Sequence, residues 1–464
     1  MIIGTKKFNT IDNIYFAEFS GDFNPIHLDS EFASRTPYES PIVHGTQVLL
    51  WSLEKLVTRV NKPIGNFKVI FNKPVQFEQD IWINWNSKTS SILVKDKKLQ
   101  ILINIIDISF QENISKEAKD QHYSIAKNKL VPEEPNISSL VVNTLIKYEF
   151  NGNSEVCTQL YPELTRLNGV STLCEIANLS AFIGMKVPGK HSLLRSAHIQ
   201  IRREYDPNGL FKLTSIDSRV GAVSFLYTGQ YIQALIKGFF TPKPVKIPKC
   251  AEIKLRVNPE SKLKNANVLV IGGSRGIGAW ATKIFAIYGC NVTATYNSNL
   301  SLALEVKNDI IAFGGECSII KFNVLMDSFS FLSNNKFEYI LYFATPAITA
   351  NHTGKFDNGL YKKYKNYYVE SFESLVRKLN PNCITYYPST TLIDIPELGF
   401  KEYIKAKKQG EKFSRDYRIG KFGKIISTRL PRLLTDQNNW IFSKSTTSPE
   451  AEVEKIIKIL IQQK

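Results

Sequence analysis

An acid and an imidazole stand five positions apart in Ser20-Gly21-Asp22-Phe23-Asn24-Pro25-Ile26-His27-Leu28-Asp29, on either side of an Asn-Pro pair. A His-Gly pair follows in Pro41-Ile42-Val43-His44-Gly45. A carboxylate and an imidazole aimed at one water can share its protons, and the pair works best when a half-buried pocket brings both pKa values near the operating pH. Adding water across an activated double bond needs such a pair, plus a donor to the oxygen on which negative charge develops. The backbone N–H of Gly45 is the candidate donor, because a helix start adds a favourable dipole and a glycine admits close approach. A spacing of five fits neither one helix face nor one strand face, so the Asn-Pro turn must aim both side chains. Asn24 and Asp29 read as braces of that turn, and His44 as a residue shaping the loop. Asp-Phe-Asn-Pro is also a good turn in its own right, in which Asp22 would only cap and His27 would only pack.

A second chemistry-bearing set lies downstream. The apolar run Asn267–Ile271 leads into Gly272-Gly273-Ser274-Arg275-Gly276-Ile277-Gly278 and an amphipathic segment through Tyr288, and another strand-like run follows at Asn291–Tyr296. Glycines at 272, 276 and 278 let the backbone turn tightly and approach a pyrophosphate seated on the helix N-terminus. Ser274, Arg275 and Ile277 complete this candidate cofactor loop, with Asn297 and Ser298 after the second strand. No acidic residue closes that strand to hold ribose hydroxyls, and Arg275 could meet a 2′-phosphate, so NADP is expected in preference to NAD.

The run S-G-D-x-N-P-I-H-x-D followed by P-I-x-H-G resembles the signature of the MaoC-like (R)-specific enoyl-CoA hydratases. The resemblance implies that Asp22 and His27 hold the water added syn to a trans-2-enoyl thioester, with Gly45 at the enolate oxygen. Phe71-Asn72-Lys73-Pro74-Val75 resembles the F-x-x-P-V strand of such hydratases, whose hotdog fold wraps a sheet around one long helix. The glycine pattern G-G-S-R-G-I-G is similar to that of the short-chain dehydrogenase/reductase family. That resemblance implies a Tyr-x-x-x-Lys pair, supplied by Tyr403-Ile404-Lys405-Ala406-Lys407. Tyr403 would be the acid/base, and Lys407 would lower its pKa and bind ribose. Ser389 would orient the substrate oxygen, and Asn366 would hold a relay water. Phe343-Ala344-Thr345 and Pro431-Arg432 depart from the family's Asn-Ala-Gly and Pro-Gly, which leaves open a weak or unusual reductase.

These sets need separate scaffolds. With 464 residues, the chain is too long for one core. Residues 1–130 are expected to form a hotdog hydratase domain around a helix at Thr46–Val60, with strands such as Phe67–Phe71 and Leu99–Ile105. Residues 150–245 read as a second, degenerate hotdog: an apolar segment at Val170–Ile183, then strands at Leu193–Ile201, Phe211–Ile216, Ala222–Gln230 and Tyr231–Phe239. It would complete the sheet and wall the acyl pocket. A proline- and lysine-rich stretch leads to a linker over 246–262. Residues 263–464 are expected to be a Rossmann-type α/β domain with a doubly wound parallel sheet, so the fold class is an α+β double hotdog followed by α/β.

The formal charge of +17 is spread along the chain among many Asn and Ile residues rather than gathered into a stripe, which argues against nucleic acid. The expected partner is a thioester of coenzyme A or of an acyl carrier protein. No stretch of eighteen apolar residues suggests a membrane span, the N-terminus shows no secretion signal, and a cytoplasmic homo-oligomer is expected. Cysteines 157, 174, 250, 290, 317 and 383 lack paired spacing, so no metal site is expected. The combined expectation is a bifunctional enzyme interconverting 3-oxoacyl, (R)-3-hydroxyacyl and trans-2-enoyl thioesters. Alternatives are a reductase for another carbonyl, such as a sugar or polyketide, or a dinucleotide-sensing domain without turnover.

Overall fold

The computed structural model describes residues 1–464 except 113–130, 202–208, 260, 335, 352–353, 380–381, 419–422, 437–446 and 464. The chain forms two compact units, Met1–Lys243 and Pro244–Lys464. The end expected for the first domain, at residue 130, lies outside the described residues.

The first unit is built on one ten-stranded sheet. Its strands are β1 (Ile2–Lys6), β2 (Asn66–Phe71), β3 (Ile81–Asn86), β4 (Ser91–Asp96), β5 (Ile101–Ile106), β6 (Leu145–Lys147), β7 (Ser192–Ile201), β8 (Leu210–Asp217), β9 (Ala222–Thr228) and β10 (Ile232–Phe240). Their order, β1-β3-β4-β5-β2-β7-β10-β9-β8-β6, shows the same pairing scheme twice, mirrored about the β2–β7 contact. That contact is antiparallel, running from Asn66 opposite Gln200 to Ile70 opposite Ser196. Alternation of buried and exposed residues sets the register. In β2, Phe67 and Val69 point into the core, and in β3 Ile81 and Ile83 do so.

The longest described helix of each half, Gly45–Val60 and Val170–Ala181, lies on the core side. Leu53, Leu56 and Val57 of the first and Leu173, Ile176 and Ala177 of the second join one hydrophobic cluster. Each large side chain fully withdrawn from water contributes roughly 1.5–3 kcal/mol. Glu54 on the first helix accepts the N–H groups of Glu163 (3.1 Å) and Leu164 (2.7 Å), capping a helix that belongs to the second half. The segment 72–75 is not a strand. Asn72 and Lys73 both donate to the Leu102 carbonyl, and Pro74 has no N–H to continue a ladder.

The second unit holds six parallel strands: β11 (Asn267–Ile271), β12 (Asn291–Tyr296), β13 (Glu316–Lys321), β14 (Tyr339–Tyr342), β15 (Ile384–Thr390) and β16 (Lys424–Leu430). Their order is β13-β12-β11-β14-β15-β16, which puts the reversal of strand order between β11 and β14. In such sheets ligands bind at the carboxyl ends of the strands beside that reversal. Val268 and Val270 of β11 join one apolar cluster, and Leu269 and Ile271 join another, as expected for a sheet covered on both faces. The stretch 246–262 carries a helix at Cys250–Lys254, and Cys250, Ile253 and Val257 pack into this unit's core. No described helix is long and apolar enough to cross a membrane.

Candidate active site

Asp22 follows the helix Thr10–Ser20, and Asn24 opens the short turn Pro25–Leu28 by accepting the Ile26 N–H at 3.1 Å. The Asn24 amide also donates to the carbonyls of Gly184 (2.7 Å) and Gly189 (3.2 Å), tying the turn to the second half of the unit. Asp29 caps the next helical turn through the Glu31 and Phe32 N–H groups.

His27 Nδ1 lies 2.9 Å from the Ile42 carbonyl. A carbonyl only accepts, so Nδ1 carries the hydrogen and the neutral ring keeps its lone pair on Nε2. By the same logic His44 Nε2 donates to the Asp22 carbonyl at 3.0 Å, leaving a buried Nδ1 with no partner among the described residues. The two rings stack with centroids 3.8 Å apart. Asn13 holds both loops, donating to the carbonyls of His27 (3.1 Å) and Ile42 (3.0 Å) and accepting the His44 N–H (3.4 Å).

The Asp22 carboxylate accepts a hydrogen bond from Ser180 Oγ at 2.7 Å and a longer one from the Asn24 N–H at 3.3 Å. A Cβ at Gly184 would stand 2.4 Å from Asp22 Oδ1, so only a glycine lets the carboxylate sit there. Burial pushes the Asp22 carboxyl above its ordinary range, opposed by His27 and by its hydrogen bonds. Burial holds His27 below the ordinary imidazole value, opposed by Asp22. The two pKa values are thus driven towards each other, which suits proton exchange. His44 is held well below the imidazole range, chiefly by burial, and stays neutral.

Asp22, His27 and His44 each offer a donor atom within 4.8 Å of the others. The rings are only 24° from parallel, so their in-plane lone pairs run side by side rather than meeting at a point, and His44 Nε2 is already engaged. The trio suits proton sharing better than an ion. Asp22, His27, Gly45 and Thr46 line a cavity of about 200 Å³, with Ser180, Gly184 and Phe239 from the second half in its wall. Gly45 opens the helix Gly45–Val60 without a side-chain cap, and its N–H takes no partner among the described residues. A donor is therefore free beside the acid and the imidazole.

In the second unit, the loop Gly272–Gly278 joins the carboxyl end of β11 to the helix Gly276–Ile287, which has no side-chain cap. A Cβ at Gly278 would lie 2.0 Å from the Gly272 carbonyl oxygen, so the loop folds directly onto the first helical turn. The Gly272 and Gly273 N–H groups bind Thr295 Oγ1 (3.0 Å) and its carbonyl (2.9 Å), fastening the loop to β12. Ser274, Arg275 and Ile277 are half-buried in this turn, and Asn297 and Ser298 are exposed just past β12. These residues fit a pyrophosphate on an open helix start.

The groups expected beside Tyr403 are placed differently. Ser389 Oγ donates to Glu411 Oε2 at 2.7 Å, and Glu411 in turn pairs with Arg429. Thr390, one residue on and on the opposite strand face, is the hydroxyl that acts on the Tyr403 phenol and eases its ionisation. Asn366 is turned onto its own helix, donating to the Lys362 carbonyl (2.9 Å) and Glu370 Oε2 (3.0 Å). Tyr368, two residues on, is the one that reaches Tyr403 and Lys407. Its ring meets Tyr403 edge-on at 5.6 Å, its hydroxyl pairs with Thr345 Oγ1 at 2.5 Å, and Lys407 Nζ lies 3.9 Å above its centroid.

Lys407 Nζ donates to the Pro388 carbonyl at 2.7 Å, and burial pushes the amine down to about 7. Burial also drives the Tyr403 phenol well above its ordinary value, opposed by Thr390. Burial dominates the Tyr403 phenol, and Lys407, with Nζ 5.9 Å from the ring centroid, is not among the groups that lower it.

Residues 4–101 match the MaoC like domain. The first unit carries a MaoC-like domain. A 49-residue stretch is 51% identical to the (R)-specific enoyl-CoA hydratase of Aeromonas caviae, covering 11% of this chain and 35% of that protein. A 40-residue stretch is 50% identical to the 3-hydroxybutyryl-CoA dehydratase of Methylorubrum extorquens, covering 9% of this chain and 26% of that protein. The matches thus span about a third and about a quarter of these relatives. Similar solved structures include a short-chain dehydrogenase from Escherichia coli CFT073 complexed with NADPH, at 16% identity and a TM-score of 0.39 over 44% of this chain and 93% of that one. Another is a short-chain dehydrogenase from Burkholderia cenocepacia complexed with NADP, at 18% identity and a TM-score of 0.37 over 43% and 91%.

Ser180, Gly184, Asn13, Thr390 and Tyr368 were not singled out from sequence. A Ser or Gly far along the chain carries no local mark of a contact with Asp22. Thr390 had one available signal, since it neighbours the chosen serine on a strand.

Proposed function

We propose that the chain is a bifunctional enzyme: an (R)-specific enoyl-thioester hydratase/dehydratase fused to an NADP-dependent 3-oxoacyl-thioester reductase. The first unit is read as a double hotdog whose second half serves the first half's site. The carrying observation is the cavity that gathers the Asp22 carboxylate, His27 and the free Gly45 N–H. Asp22 and His27 Nε2 would bind one water. As its oxygen bonds to C3 of the enoyl group, one of the pair takes its proton and C2 receives a proton on the same face. The Gly45 N–H would stabilise the enolate oxygen formed in between. Both relatives act on coenzyme A thioesters by name, and the similarity to a 3-hydroxybutyryl-CoA dehydratase supports a short acyl chain. Hydration of crotonyl-CoA tests this half. Asp22→Asn should lower it at least ~100-fold, and an unchanged rate removes the reading.

For the second unit, the Gly272–Gly278 loop and its helix N-terminus would hold the pyrophosphate. Arg275, Asn297 and Ser298 would face the 2′-phosphate, and Lys407 the ribose. NADPH, when bound, supplies the hydride and leaves as NADP. Thr390 would orient the substrate oxygen and Tyr403 would exchange its proton. NADPH consumption with acetoacetyl-CoA, lost in Tyr403→Phe, tests this half. A second reading, dinucleotide binding without turnover, draws support from Tyr368 and Tyr364, whose rings pack edge-on against Tyr403. It predicts NADPH binding with no carbonyl reduced.

A further inference from the structure

Tyr38 shares the cavity wall with Asp22, His27 and Gly45. Its backbone is tied on both sides, the N–H to Thr36 Oγ1 at 3.3 Å and the carbonyl to Ser40 Oγ at 3.4 Å. The phenol oxygen, by contrast, makes no hydrogen bond among the described residues. Tyr38 is half-buried, and its hydroxyl is not one of the polar atoms sealed away from water without a partner. It is therefore open to an acceptor that enters the cavity, beside the acid, the imidazole and the free Gly45 N–H.

Resting on the hydratase reading, we propose that Tyr38 is a substrate-binding residue whose phenol donates a hydrogen bond to an acceptor oxygen of the bound thioester. Burial pushes the Tyr38 phenol up to about 12, so it enters the contact as a protonated donor. Several neighbouring polar groups of the wall are engaged: Ser192 donates to the Ile183 carbonyl, Arg195 to that of Phe71, and Lys73 to Gln100. The acceptor is either an amide carbonyl of the pantetheine arm or an oxygen on the acyl chain.

Tyr38→Phe keeps the ring and removes only the hydroxyl. With crotonyl-CoA, whose acyl chain has no oxygen beyond the thioester, a rise in KM of about 3- to 10-fold at near-constant kcat places the contact on the arm. A rise seen only with 5-hydroxy-2-pentenoyl-CoA places it on the acyl chain. Unchanged KM for both overturns the proposal. Calorimetric binding of 3-hydroxybutyryl-CoA and 3,5-dihydroxypentanoyl-CoA to wild type and variant gives a readout independent of turnover. If wild-type protein hydrates neither substrate, the hydratase reading fails by itself. The binding comparison still decides the role of Tyr38, with equal affinities for both ligands counting against it.

Discussion

Gly184→Ala isolates the contribution of the second half of the first unit to a site whose acid and imidazole both come from the first. The added Cβ would stand 2.4 Å from Asp22 Oδ1 and 3.0 Å from its Cγ. Ordinary contact begins near 3.4 Å, so the carboxylate must retreat by about 1 Å. It would then leave the Ser180 hydroxyl, now 2.7 Å away, and lose its aim at the shared water. A misplacement of that size costs on the order of 100-fold in rate. The backbone itself should tolerate alanine, since Gly184 lies in the helical turn Phe182–Lys186 and is not among the glycines with positive φ. Helical alanine gains roughly 0.5–1 kcal/mol over glycine, while the lost hydrogen bond costs a similar amount. Crotonyl-CoA hydration, measured with thermal unfolding on the same sample, should show about a 100-fold loss in kcat/KM at a nearly unchanged Tm. A loss below about 3-fold would refute the claim that Gly184 seats the carboxylate. A collapse of Tm would show that the contact is structural.

Other substitutions probe separate parts of the account. Ser180→Ala removes a hydrogen bond that favours the Asp22 carboxylate, so the pKa of Asp22 rises further and the acid limb of kcat/KM moves to higher pH, by about one unit; a limb that stays put counts against this role. Thr390→Val should lower NADPH-dependent reduction about 100-fold, and Ser389→Ala by less than 3-fold, because Thr390 acts on the Tyr403 phenol while Ser389 Oγ is held by Glu411; the reverse order would restore Ser389. Gly278→Ala, whose Cβ would fall 2.0 Å from the Gly272 carbonyl, should weaken NADPH binding at least 10-fold by fluorescence titration while leaving crotonyl-CoA hydration intact. Equal NADPH affinity would contradict the cradle.

Local chemistry was legible in the sequence, and distant chemistry was not. Asp22, Asn24, His27 and Gly45 fall within one loop and one helix start, so their types and spacing already implied a common cavity. Alternation placed β7, β8, β9 and β10 within a residue or two, because each has one core face. Ser180 contacts Asp22 across 158 positions, through a sheet whose join at β2 and β7 has no sequence signal of its own. Ser389 lies one residue from Thr390, and a one-residue slip on a strand puts the side chain on the other face. Asn366 matched by residue type, yet its amide is satisfied by Lys362 and Glu370 on the same helix, and Tyr368 occupies the place beside Lys407. Proline and lysine suggested a plain linker near 250, where apolar Cys250 and Ile253 anchor a helix in the second core.

The central claim is that water transfer and hydride transfer in this chain act on one thioester. Incubating the full chain with acetoacetyl-CoA and NADPH and following the thioesters by mass tests it most directly. Wild-type protein should give 3-hydroxybutyryl-CoA followed by crotonyl-CoA, with Asp22→Asn stopping at the hydroxy compound and Tyr403→Phe yielding neither. NADPH that binds without being consumed, or a hydroxy product that wild-type protein never dehydrates, would contradict it.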